Sequence, residues 1–184
     1  SRDLTKPATR AQAAVLLVRL AGGEKKPDTD GWFAGFRDVP DWARTAVNYA
    51  NRRGWISGVS NVQFDPNGHL NADAWCAMLL RMLGYKDEDV GGVWPDSYMA
   101  EAALIGLTDG VSGTGNEGLT RGQAAKLFLN LLRADQKEGG SYLATLGETR
   151  TGQMLVSSTA DGPRGAGTAL QMASGAVYSL ADGK

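Results

Sequence analysis

The fold of this chain is decided by a stretch that occurs three times: PATRAQAAVLLVRLAG at residues 7–22, HLNADAWCAMLLRMLG at residues 69–84 and LTRGQAAKLFLNLL at residues 119–132. In each copy the apolar side chains recur with the i, i+3, i+4, i+7 spacing of a helix that buries one face. In the second copy this stripe runs from Trp75 to Leu83. We therefore predict three amphipathic, core-facing helices.

The residues that open these stretches are helix-start signals. Thr9 with Gln12, and Thr120 with Gln123, form T-x-x-Q capping boxes, in which the hydroxyl accepts from an amide of the first turn and the glutamine reaches back. In the second copy Asn71 stands at the same position and is a good N-cap without the glutamine. We expect the three helices to begin directly after these residues.

A second unit precedes two of the three helices. Residues 41–60 align without gaps with residues 93–112, so that Trp42 falls on Trp94. Each copy predicts a helix of about three turns that stops at a glycine, followed by a short extended piece and a turn-rich loop. The chain is therefore mainly α, built of tandem helix-loop-helix repeats, and the first repeat has only its second helix within these residues.

We divide the chain on this basis into residues 1–30 as a truncated first repeat, 31–90 as the second repeat, 91–138 as the third, and 139–184 as a β-leaning tail. The tail is rich in Gly, Ser and Thr, and short strands are predicted at residues 153–159, 168–172 and 176–180. Either the tail packs on the helical part as an annex, or it opens a larger β domain.

Composition excludes several classes of function. Among the 184 residues, 19 basic and 20 acidic side chains give a net charge of −1, which argues against a nucleic-acid partner held by a basic surface. One histidine and one cysteine build neither a multi-histidine metal site nor a disulfide framework. A Ser-His-Asp or Cys-His mechanism would have to use His69, and no nucleophile motif accompanies it. We therefore predict no catalytic residue, no metal site and no cofactor.

The chain has no apolar run of about 18 residues, so membrane insertion is not expected. It opens at Ser1 without a basic and apolar leader, and we expect any secretory signal to be removed or to lie outside it.

Several motifs of the chain, taken in order, resemble those of a known family. Phe36-Arg37-Asp38-Val39, then Gly54-Trp55-Ile56-Ser57-Gly58, then Phe64-Asp65-Pro66, closed by a T-R-A-Q-type helix, are similar to the S-layer homology module. The usual motifs of that module are F-x-D-V, G-x-x-x-G, F-x-P and I-T-R-A-E, followed by a leucine-rich helix. The resemblance covers about residues 5–134, and the tail lies outside it.

The resemblance implies a fold and a role. It implies tandem modules, usually three, in a pseudo-threefold helical spindle that anchors exported proteins to the envelope of Gram-positive bacteria. The implied partner is a secondary cell-wall polysaccharide bearing pyruvate, bound in grooves between modules. The implied contact is the arginine of the T-R-A-E motif, which Arg10 and Arg121 keep and which Ala72 replaces in the middle copy. A guanidinium suits a carboxylate because two N–H groups can bind it at once.

Aromatic side chains are further candidates for sugar binding. Trp42, Trp55 and Trp94 are able to stack on the C–H face of a sugar, but their helical and post-glycine positions favour packing in the core. Of the three, Trp55 is the one that we expect to be partly exposed. Trp75 lies on the apolar stripe of its helix and is expected in the core. The candidate ligand-binding residues are therefore Arg10, Arg121, Trp42, Trp55 and Trp94.

Two functions remain open from the sequence. The first is a non-enzymatic module of a secreted bacterial protein that anchors it at the cell wall or cell surface. The second is a degenerate scaffold of the same origin that mediates protein–protein contact or self-association, which Ala72 and the truncated first repeat suggest.

Overall fold

Helices dominate the part of the chain that the computed structural model describes, namely residues 4–23, 31–112, 118–149, 155–158, 168–171 and 177–180. In chain order the elements are α1 (Arg10–Leu20), α2 (Asp41–Arg52), α3 (Ala72–Met82), α4 (Asp87–Val90), α5 (Asp96–Leu104), α6 (Arg121–Arg133), α7 (Tyr142–Thr149), β1 (Leu155–Ser158), β2 (Thr168–Gln171) and β3 (Val177–Leu180). The chain divides into two compact units, Ser1–Tyr142 and Leu143–Lys184. The prediction of a mainly helical protein with a few strands is confirmed.

The three aligned stretches form α1, α3 and α6, and the second repeated unit forms α2 and α5. Two helices were not predicted. The four-residue α4 follows α3, and α7 lies near the start of the segment that we expected to lean toward β structure.

The predicted capping residues open the helices. Thr9 and Thr120 accept from the backbone amides of Gln12 and Gln123 at 3.3 Å and 3.2 Å, and each glutamine side chain accepts in return from the threonine amide. Asn71 accepts from the third amide of α3 at 3.0 Å. Each cap thus satisfies amides that a helix start leaves without a carbonyl partner. As a result Arg10, Ala72 and Arg121 are each the first residue of their helix.

The two copies of the second unit also end alike. Gly54 and Gly106 adopt φ values of 71° and 79°, a region that favours glycine. The amide of the residue after each glycine donates to the carbonyl five residues earlier, at 3.0 Å after Gly54 and 2.8 Å after Gly106. This closes both helices in the same way and turns the chain into the following loop.

The short extended segments that precede α1, α3 and α6 are hydrogen-bonded to one another. Antiparallel bridges join Thr9 to His69 and Pro7 to Thr120, which are the same two positions of the aligned stretch. The middle residue of the first segment donates to that of the third at 3.1 Å, and the third donates to the second at 2.9 Å. The three helix starts are therefore brought together at one junction.

The core of the first unit includes the predicted apolar faces. Trp75 is fully buried on α3, and its ring meets that of Phe128 on α6 edge-to-face with 5.5 Å between centroids. Leu79 and Leu83 of the same stripe are also buried, as are Leu127 and Leu131 of α6. Burial of these stripes stabilises the helices, because isolated helices of this length are marginal in water.

The second unit contains an antiparallel sheet in the order β1-β2-β3. Leu155 pairs with Gln171, and Thr168 pairs with Leu180. All three strands lie within the segments in which strands were predicted.

Candidate functional site

A cavity of about 500 Å³ opens in the first unit, between α1, the loop after α2, one side of α3 and the segment that enters α5. Its volume falls within the range of small-ligand sites, about 300–1,000 Å³. Its polar and aromatic lining includes Arg10, Ser57, Arg81, Asp87, Trp94 and Tyr98. We refer to this cavity as the Arg10 groove.

Arg10 is held rigidly in this groove. Its Nε donates to the carbonyl of Phe64 at 2.8 Å and its Nη2 to the carbonyl of Ser57 at 2.7 Å. The guanidinium also lies over the Phe64 ring, 4.7 Å from its centroid, within the range of a cation–π contact. Nη1 makes no hydrogen bond within the described residues. Burial lowers the pKa of the Arg10 guanidinium, and the negative charges of Asp65 and Asp38 oppose this, so the group stays cationic at neutral pH.

The loop that holds Arg10 is itself fixed by Asp38. The two carboxylate oxygens of Asp38 accept from the amides of Phe64 and Asp65, each at 2.9 Å. Asp65 adopts a φ of 57°, which is uncommon for a residue with a side chain. Asp38 of the F-x-D-V motif therefore clamps the F-x-P loop, and this loop holds Arg10.

The pH dependence of stability should report this clamp. Desolvation raises the pKa of Asp38, but the amide hydrogen bonds from Phe64 and Asp65 and the nearby Arg10 outweigh it and hold the pKa below its ordinary value. A carboxyl group with a depressed folded-state pKa stabilises the protein above its unfolded pKa of about 3.9, and this contribution is lost as pH falls through the folded pKa. We expect Asp38→Asn to lower the free energy of unfolding at pH 7 by about 1–2 kcal/mol.

The measurement is chemical denaturation of the wild type and Asp38→Asn between pH 7 and pH 3. The difference between them should shrink toward the acid end, because the wild type then loses the same contacts. Asp96→Asn, an exposed residue at the start of α5, serves as the control for charge removal. A difference that stays constant over the whole pH range would contradict the clamp.

The tryptophans differ from expectation. The prediction that Trp42 and Trp94 pack in the core is wrong, since their exposed fractions are 63% and 54%. Trp42 lies in the first turn of α2, off the face that Ala43 and Val47 bury, and Trp94 precedes α5, which begins only at Asp96. Trp55, expected to be partly exposed, is half-buried.

Two of these rings make edge-to-face contacts. Trp55 meets the Tyr49 ring with 5.9 Å between centroids, and Trp94 meets the Tyr98 ring at 5.1 Å. The second contact fixes Trp94 at the groove, where its indole stays accessible to a ligand.

Of the five predicted residues, the structure places Arg10 and Trp94 in the same cavity. Trp42, Trp55 and Arg121 do not line it. Arg121 is partly exposed at the start of α6, and its Nη2 donates to the Gln12 side chain at 3.5 Å.

The sequence analysis missed Ser57, Arg81, Asp87 and Tyr98, which share the cavity with Arg10. Arg81 donates from Nη2 to Asp87 Oδ1 at 3.3 Å, and the Tyr98 hydroxyl donates to the same oxygen. The available signal for Arg81 was a cation within the apolar run of the second aligned stretch. Asp87 belongs to no motif of the sequence, and it lies on the unpredicted α4.

The groove therefore combines two guanidinium groups, one carboxylate and an exposed aromatic face. Such a lining suits an anionic ligand that also presents apolar C–H faces.

The one histidine and the one cysteine of the chain lie outside the groove. His69 is an exposed residue that forms the bridge to Thr9, and it lies outside the groove. Cys76 is fully buried, and this burial raises the pKa of its thiol to about 12, so it is inert as a nucleophile. Among the described residues no three side chains of the His, Cys, Asp or Glu type are grouped to hold a metal ion. Within the same residues, no helix has the length and apolarity to cross a membrane.

Comparison with known proteins agrees with the resemblance of the motifs. Residues 35–71, which include Asp38, Ser57 and Phe64, match the S-layer homology domain. A cell surface protein of Thermoanaerobacter kivui is 36% identical over 125 residues, which cover 66% of this chain and 16% of that protein. A middle cell wall protein of Brevibacillus brevis is 32% identical over 135 residues, which cover 72% of this chain and 13% of that protein.

A shorter similarity joins this chain to an amylopullulanase of Thermoanaerobacterium thermosulfurigenes, 32% identical over 62 residues. It covers 33% of this chain and 3% of the amylopullulanase. The chain thus spans at most 16% of the length of these relatives.

Proposed function

Because this chain carries an S-layer homology domain and is a secreted protein of the bacterial cell surface, we propose that it is a non-enzymatic anchoring module. Its ligand is a secondary cell-wall polysaccharide with acidic, pyruvate-bearing sugars, bound in the Arg10 groove. In this role the protein needs a fixed cation and an aromatic face, and it needs neither a nucleophile nor a cofactor.

The observation that carries the proposal is the position of Arg10. Two backbone carbonyls and the Phe64 ring hold its guanidinium at the wall of the cavity, so little side-chain freedom is lost when a ligand binds. Nη1 provides donors for a carboxylate oxygen. Trp94 offers a flat surface for a sugar ring in the same cavity.

We further propose that the three repeats form a pseudo-threefold spindle, in which the Arg10 groove is complete because Arg10, the loop that holds it and Trp94 are all present. The junction of the helix starts supports this, because its bonds recur at equivalent positions of the aligned stretches. Arg121 would then mark a second groove with Trp42 as its aromatic wall, since Trp42 is aligned with Trp94 and is exposed. Ala72 leaves the third position without a guanidinium.

The test is sedimentation with purified cell-wall sacculi from a Gram-positive bacterium that carries a pyruvylated polymer. The protein should pellet with sacculi that retain this polymer and stay in solution with sacculi from which it has been extracted. Equal binding to both preparations would contradict the proposal. If the protein pellets with neither preparation of sacculi and forms a stable oligomer by light scattering, the self-associating scaffold is favoured instead.

A further inference from the structure

The Arg10 groove already contains an anion of the protein itself. Asp87 lines the cavity together with Arg81, and Arg81 Nη2 lies 3.3 Å from Asp87 Oδ1. Tyr98, also in the lining, donates its hydroxyl hydrogen to the same oxygen. One of the two guanidinium groups in the groove is therefore paired internally before any ligand arrives.

We propose that Asp87 sets the charge selectivity of the groove by occupying Arg81, so that the site favours ligands with a single carboxylate over ligands with more negative charge. The inference rests on the proposed function, because it concerns the same groove. Two guanidinium groups and one carboxylate give the lining one net positive charge. A ligand with a second negative charge would be repelled by Asp87, because the remaining cation, Arg81, is already paired.

The pair is able to respond to a ligand because it is not deeply buried. The exposed fractions of the Arg81 and Asp87 side chains are 27% and 74%, and ion pairs with this much exposure are weakly bound. The hydrogen bond from Tyr98 is the largest cause that lowers the pKa of Asp87, so the carboxylate is ionised at neutral pH. A ligand carboxylate thus competes with a charged group for Arg81.

The helix that carries Asp87 is fixed separately. Lys137 contacts the Asp89 carboxylate, and the amide of Lys86 donates to Asp89 at 2.8 Å. Because Asp89 holds α4 in place, the competition involves the side chain of Asp87 rather than displacement of the helix.

Asp87→Asn tests this with little structural change, because the amide oxygen still accepts from Tyr98. The matched control is Glu88→Gln, which removes the same charge from the same helix at an exposed residue outside the lining. Binding of pyruvate and of malonate is titrated by NMR, with the side-chain indole signal of Trp94 assigned by its loss in Trp94→Phe. Pyruvate carries one negative charge at neutral pH and malonate carries two.

In Asp87→Asn we expect the affinity for pyruvate to rise by about fivefold and that for malonate by about 25-fold, since the repulsion removed scales with ligand charge. Glu88→Gln should differ little from the wild type, and the gain should fade at about 1 M salt. The inference would be overturned if the ratio of the malonate affinity to the pyruvate affinity were the same in the wild type, Asp87→Asn and Glu88→Gln. It would also be overturned if none of the three proteins bound pyruvate.

Sedimentation with sacculi separates this result from the proposed function. If Asp87→Asn changes the malonate-to-pyruvate ratio while neither protein pellets with the polymer, the selectivity of the site stands and the anchoring role is wrong. If the wild type pellets and the ratio is unchanged, the anchoring role stands and the inference about Asp87 is wrong.

Discussion

Replacing Trp75 with alanine is expected to lower the free energy of unfolding by about 3–5 kcal/mol, the usual cost of removing a large aromatic side chain from a packed core. Trp75 is fully buried on α3, and its edge-to-face contact with Phe128 joins the second repeat to the third. Alanine would remove this contact and leave a cavity between α3 and α6. The loss therefore weakens the packing of two repeats at once.

Two further variants make the measurement specific. Trp42→Ala removes a tryptophan that is 63% exposed and should change the free energy of unfolding by no more than about 0.5 kcal/mol. The Trp75 indole nitrogen is buried and has no hydrogen-bond partner among the described residues, so Trp75→Phe removes an unsatisfied donor and should cost much less than alanine. Equal stability of Trp75→Ala and Trp42→Ala in urea denaturation would show that this core contact is unimportant.

The elements predicted from the sequence follow from local signals that the structure retains. The helix starts at Thr9 and Thr120 were predictable because a capping box satisfies backbone amides with side chains three residues apart. The end of α2 at Gly54 was predictable because glycine favours a positive φ at a helix end, and Gly54 has one in the structure. Such signals depend on neighbouring residues, and tertiary packing did not override them.

The tryptophans were harder to predict because exposure depends on which face of a helix is covered. The gap-free alignment of Trp42 with Trp94 suggested equal positions in equal helices. In the structure α5 begins after Pro95, so Trp94 precedes its helix while Trp42 lies within α2. The helical position expected for both residues favoured the core, but 63% of Trp42 and 54% of Trp94 stay exposed.

The groove could be predicted only in part, because its wall comes from segments far apart in the chain. Arg10 lies within a sequence motif. Arg81 and Asp87 line the same cavity only because of how α3, α4 and the loop after α2 are arranged. The short α4 has no apolar stripe from which it could have been predicted. The motif therefore identified Arg10 from the sequence, whereas Arg81 and Asp87 could be identified only from the three-dimensional structure.

Replacing Arg10 with lysine is expected to lower the affinity for polymer-bearing sacculi by about 10- to 100-fold, the effect of losing one or two hydrogen bonds to a charged group. Lysine keeps the positive charge, so any loss reports the planar fork of the guanidinium. One ammonium group is unable to reach the carbonyls of Phe64 and Ser57 and a ligand carboxylate in the same geometry.

Two matched lysine variants serve as controls for this prediction. Arg133→Lys changes an exposed arginine at the end of α6 and should pellet with sacculi like the wild type. Arg121→Lys should have a smaller effect than Arg10→Lys if the Arg10 groove is the complete one. The free energy of unfolding is measured for each variant, so that a binding loss caused by a disordered loop is recognised. Binding of Arg10→Lys at the wild-type level, with a stable fold, would mean that a point charge is sufficient and that the fork of Arg10 does not recognise the ligand.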